Sequence, residues 1–128
     1  MKYLGIDYGD KKIGLATADL ETKIASPYKI LFNNQNIISD IKNVCLNEEI
    51  DKIVIGLPIS LKGTMSKQTE NVIKFISKLR KNIDLEVIEQ DEKYSSQYAQ
   101  RLLRETKAKH LDDDVAAMLI LQSYLDET

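Results

Sequence analysis

Acidic side chains mark the ends of three separate segments of this chain: Asp7, the pair Asp91 and Glu92, and the run Asp112 to Asp114. Each alone has an ordinary explanation, because an aspartate that closes a strand makes an Asx-turn and acids that open a helix cap it and suit its dipole. Their common position changes the reading. In a largely parallel sheet the carboxyl ends of the strands line one edge, and ligands bind in the crevice there. Asp7 and Glu92 would share that edge, and a last helix lying across the sheet would bring one of its leading acids beside them. Strand alternation sends Asp91 and Glu92 to opposite faces, so only one of the two points into such a site. Carboxylates gathered in this way repel one another and are stable mainly around a divalent cation. Oxygen-only ligands favour Mg²⁺ or Mn²⁺ over Zn²⁺, and such ions activate water against a phosphodiester.

Those acids need elements to position them. Lys2 to Asp7 reads as a strand, followed after a turn at Gly9 and Asp10 by a second strand from Lys12 to Ala18, and a third is expected around Ser26 to Phe32. Ile37, Ile41, Val44 and Cys45 recur at helical spacing up to about Glu49. Asp51 to Gly56 is a continuous apolar run of strand length, as in a strand covered on both faces. A helix capped by Thr64 or Ser66 should bury Val72, Ile73, Ile76 and Leu79, and Leu85 to Ile88 opens another strand. A crossover of this kind implies parallel pairing. Ser95 or Ser96 should cap a further helix with Tyr98, Ala99, Leu102 and Leu103 inward, and Asp114 to Leu125 a last one, apolar almost all round. The expected fold class is α/β: an antiparallel meander followed by parallel strands in a single mixed sheet of five, flanked by helices, as one domain over residues 1–128.

A formal net charge of −2 argues against non-specific nucleic-acid binding over a broad basic face, so any basic surface is local. Lys11, Lys12, Lys62, Lys93, Arg101 and Arg104 are the residues that could form it. Gly56, Leu57, Pro58, Gly63 and Thr64 bracket a loop at the same sheet edge, where small residues let backbone amides approach a phosphate. His110 could touch a phosphate, although one loop histidine is more often incidental, and Tyr8 more often packs than stacks on a base. The single cysteine, Cys45, sits among apolar residues and reads as a buried small hydrophobe. No apolar run reaches about 18 residues and no signal-peptide pattern opens the chain, so membrane insertion is not expected and the cytoplasm is the default location.

Four stretches, GIDYGDKKIGLATAD (Gly5 to Asp19), IVIGLPISLKGT (Ile53 to Thr64), DEKYSS (Asp91 to Ser96) and DDVAAMLILQSYLD (Asp113 to Asp126), resemble in order and spacing the signature blocks of the YqgF/RuvX family. That resemblance implies an RNase H-like fold and a nuclease, described as maturing the 5′ end of 16S ribosomal RNA or as resolving Holliday junctions. It implies metal-binding catalytic acids at Asp7, Glu92 and Asp113, with Mg²⁺ or Mn²⁺ as cofactor. Precursor 16S rRNA, free or within a ribosomal particle, is the expected partner, branched DNA the alternative, and the chain is expected to be a monomer or weak homodimer. Where family members carry Lys-Arg and Asp-Glu-Arg, this chain has Lys11-Lys12 and Lys93, which keeps positive charge but loses bidentate phosphate recognition. Two further classes compete: a binding module whose acids no longer act, and an actin-like ATPase suggested by IDYG, which needs two domains to enclose its nucleotide.

Overall fold

The computed structural model describes residues 1–57, 67–91 and 113–128. Its elements are β1 (Lys2–Asp7), β2 (Lys12–Asp19), β3 (Ile24–Phe32), α1 (Ile37–Asn47), β4 (Lys52–Leu57), α2 (Lys67–Asn82), β5 (Glu86–Asp91) and, as α3 here, Asp113–Asp126. The expected helix around residues 95–103 and the proposed caps Thr64 and Ser66 fall outside the described residues. The five strands lie in the order β3-β2-β1-β4-β5. β1 pairs antiparallel with β2, and β2 with β3, whereas β4 runs parallel to both β1 and β5. This is the mixed sheet expected from the order of hydrophobic patterns. No described helix is long and apolar enough to cross a membrane.

Alternation along the central strands divides the core in two. Leu4 and Ile6 of β1, Ile13 and Leu15 of β2 and Ile53 and Ile55 of β4 point to one face, where Ile41, Val44 and Cys45 of α1 and Val72, Phe75, Ile76 and Leu79 of α2 cover them. Tyr3, Ala16, Ala18 and Val54 point to the other, against Ala117, Ile120, Leu121 and Leu125 of α3. β1 and β4 are buried on both faces, which is why they read as unbroken apolar runs.

The α2 stripe departs from expectation at one residue. Ile73 is 38% exposed, and Phe75 and Thr69 are buried with Val72, Ile76 and Leu79. At about 100° per residue those five cover an arc of roughly 120°, and Ile73 falls outside it.

Glu49 has a φ of 55°, a left-handed conformation just beyond the end of α1. The Ile50 amide donates to the Cys45 carbonyl (2.9 Å) and the Glu49 amide to Leu46 (3.4 Å), the reciprocal pattern that terminates a helix on a left-handed residue. Glycine adopts this conformation without a Cβ penalty. Glu49→Gly should therefore raise stability by about 0.5–1 kcal/mol, read as a higher midpoint in thermal or urea unfolding.

Cys45 is buried, and desolvation raises its thiol pKa to about 11. Only about one molecule in a thousand then carries the thiolate at pH 8. Alkylation by iodoacetamide at that pH should be negligible in the native protein and fast after urea unfolding, as mass spectrometry would show.

Candidate active site

The carboxyl ends of β1, β4 and β5 lie along one edge of the sheet, together with the start of β2 and the end of β3. Asp7 closes β1 at this edge and is partly exposed. It shares the parity of Tyr3 and Gly5, so its side chain lies on the α3 face.

Backbone contact seats α3 over this strand. The rings of Tyr3 and Tyr124 meet edge-on with centroids 5.9 Å apart. A Cβ on Gly5 would stand 2.8 Å from Leu121 Cβ and 2.9 Å from the Ala117 carbonyl oxygen. Gly14, the cross-strand partner of Asp7, leaves even less room: a Cβ there would collide with the Asp113 carbonyl and stand 2.7 Å from the Asp114 amide nitrogen. The periods match, because four helical residues rise about 6 Å and two strand residues about 6.6 Å. Asp113, Ala117, Leu121 and Tyr124 thus step down one face of α3 as Asp7, Gly5 and Tyr3 step down β1. Because antiparallel partners lie about 4.5–5.5 Å apart, Asp7 and the first residue of α3 are neighbours on one face at one edge.

The far end of α3 is held by Gln122, whose Oε1 accepts the Ala25 amide (2.9 Å) and whose Nε2 donates to the Lys23 carbonyl (2.9 Å). Asp114 turns to its own helix, its Oδ1 accepting the Val115 amide at 2.9 Å. That bond stays within the first turn of α3, and Asp113 is the acid in line with Ala117 and Leu121 on the sheet-facing stripe.

Asp91 ends β5 with the parity of Val87, on the face covered by α1 and α2 and hence opposite Asp7. Glu92, together with Lys62, Lys93, Arg101, Arg104 and His110, lies outside the described residues. Among the described residues no group of three or more His, Cys, Asp or Glu side chains gathers as a metal site. Asp7 and Asp113 carry the oxygen-only donor type that suits a hard divalent cation, and Cys45 is buried with α1 in the other half of the core.

Lys12 is exposed and of the same parity as Gly14, so it flanks Asp7 on the α3 face, with Lys11 preceding it in the turn. Its cross-strand partner is Phe32, 70% exposed, a residue the sequence reading did not single out. An aromatic closing a strand beside an asparagine-rich turn was the available signal. Gly14 was also overlooked, since a glycine inside an alternating strand announces close backbone approach only once its neighbour is known.

Proteins of known family resemble this chain over nearly its whole length. A Sulfurihydrogenibium protein named "Putative pre-16S rRNA nuclease" is 37% identical over 98% of this chain and 90% of its own length. One of the same name from Fusobacterium nucleatum is also 37% identical, over 98% and 96% respectively. The fold is that of RuvC, an RNase H-like resolvase: the Thermus thermophilus protein in complex with a Holliday junction superposes with a TM-score of 0.66, covering 99% of this chain and 94% of that one at 10% identity. Residues 1–127 match the family described as RuvX, Holliday junction resolvase, and to that family this chain belongs.

Proposed function

We propose that this chain is a metal-dependent endonuclease that hydrolyses phosphodiester bonds in structured nucleic acid, with precursor 16S rRNA as its substrate and Mg²⁺ or Mn²⁺ as its cofactor. The observation that supports the reading is the seating of the first turn of α3 on Gly14, where the Asp113 backbone approaches the cross-strand partner of Asp7 at the edge where the parallel strands end. Asp7 and Asp113 hold the cation together with Glu92, the acid that the resemblance of the segment from Asp91 to Ser96 to the family's third signature block implies. When bound, a divalent cation supplies charge stabilisation at the phosphodiester and activation of the attacking water. The acids fix the position of the reacting phosphate, and Lys11 and Lys12 attract its neighbours along the strand. Hydrolysis adds water across one P–O bond, leaving one phosphorylated end and one hydroxyl end.

The relatives' name supports RNA as the substrate, whereas the family description keeps branched DNA as a second reading. The deciding experiment incubates the purified chain with a precursor 16S fragment and with a four-way DNA junction, each in Mg²⁺ and in Mn²⁺. Preferential cut of the RNA is expected. Paired cuts in the junction by a dimer, with the RNA left intact, would replace this reading with the second. Tight binding with no cleavage at any metal concentration would make the chain a binding module.

A further inference from the structure

On the sheet face opposite Asp113, but at the same edge, a cavity of about 280 Å³ opens between the end of β1, the link from β3 to α1, and α2. Its floor is aromatic: Tyr8, the residue after Asp7, packs on Phe75 with ring centroids 4.9 Å apart. One wall carries the carboxamides of Asn34 and Gln35. The other is a single helical stripe, Asn71, Lys74 and Lys78, in which both lysines are exposed and neither makes an ion pair among the described residues. Among the described residues no carboxylate lines the cavity, in a chain whose acids outnumber its bases. The Asn33 amide group donates to the Gly9 carbonyl at 2.8 Å, tying this link to the turn beyond Asp7 and so holding the cavity in fixed relation to the site.

We propose that this cavity binds one unpaired nucleotide of the strand being cut, with the base over Tyr8 and the phosphates on Lys74 and Lys78. The inference rests on the nuclease reading. Carboxamides offer both donors and acceptors to a base edge, an aromatic ring accepts any base face, and lysines neutralise phosphate without geometric demand. The volume falls near the lower bound of about 300–1,000 Å³ typical of small-molecule pockets, enough for one nucleotide and too small for a duplex. A strand passing over the edge at Asp7 thus has its next unpaired residue taken up behind the sheet, which would favour cleavage sites flanked by single strand.

The test is fluorescence anisotropy of the full chain in EDTA, so that no cleavage occurs, with a labelled single-stranded oligoribonucleotide and a blunt RNA duplex. Lys74→Ala with Lys78→Ala should weaken single-strand binding at least tenfold and flatten its salt dependence by roughly 0.7–1.4 in log–log slope, at about 0.7 per phosphate contact. Duplex affinity should stay within twofold, and circular dichroism should show an unchanged fold. Asn71→Ala, which removes no charge, should weaken the single strand several-fold. Equal losses for both ligands, or none for the single strand, would overturn the proposal. Saturating AMP that displaces the oligonucleotide from the wild-type chain but not from the double variant, binding more tightly than the oligonucleotide does, would assign the cavity to a free nucleotide and overturn it as well. Binding is read without catalysis. A chain that cuts no RNA yet shows the single-strand effect loses the nuclease reading and keeps the pocket, and a chain that cuts RNA with unaltered variant binding does the reverse.

Discussion

Asp7→Asn should abolish metal-dependent cleavage, lowering kcat by roughly 10³-fold or more, while leaving the circular dichroism spectrum unchanged. The substitution keeps the size and one oxygen of the side chain and removes its charge, so the loss measures what the charge does in the site. An oxygen ligand to a catalytic cation contributes both to its affinity and to stabilisation of charge in the transition state, which gives the size of the effect. Asp113→Asn should cost about as much, and the double variant little more than either, because residues acting as a unit are strongly non-additive. Scanning calorimetry gives a second readout: Mg²⁺ or Mn²⁺ should raise the melting temperature of the wild type, by binding the native state alone, and not that of Asp7→Asn. Equal cleavage by wild type and variant would reduce Asp7 to the closing residue of its strand.

Gly14→Ala tests the seating of α3 instead of its chemistry. A methyl group at this position meets backbone, the Asp113 carbonyl, which has no rotamer to escape by. The start of α3 must lift, at a cost of about 1–3 kcal/mol in stability, as in other overpacked sites. Because Gln122 anchors the far end of the helix to Lys23 and Ala25, the movement concentrates at the first turn, where Asp113 stands. A misplacement near 1 Å costs on the order of 10²-fold in rate. We therefore expect a folded protein about 100-fold less active in kcat, whereas Gly5→Ala, which crowds Leu121 and Ala117 in mid-helix, should lower stability more than activity. Full activity in Gly14→Ala would mean that Asp113 takes no part.

Much of this architecture was legible in the residues, for reasons that also explain the misses. β1, β2 and β4 announced themselves because covered strands must be apolar, and α1 because its stripe is narrow and regular. β5 was expected from Leu85 and runs from Glu86 to Asp91: it lies at the sheet edge, where backbone pairing to β4 continues after the apolar residues stop. β3, the other edge, begins two residues before its expected start for the same reason. Phe75 displaced Ile73 in the core because the orientation of α2 is set by α1 and the sheet, which periodicity does not encode. In the site, acids at element ends were visible one by one. The proposed meeting of Asp7 with Asp113 depends on Gly14 and on the direction of α3, and the cavity draws on three separate segments, so neither had a local signature.

The seating of α3 on the first hairpin has a consequence in time. Asp7 closes β1 and Asp113 opens α3, so the proposed acid pair joins elements far apart in the chain. A polypeptide emerging from the ribosome can pair β1 with β2 early, yet the proposed acid pair comes together only once α3 has docked. On the proposed reading, a chain that has formed its first hairpin and not yet seated α3 has no means to cut RNA, so competence follows docking of that helix and not folding of the hairpin.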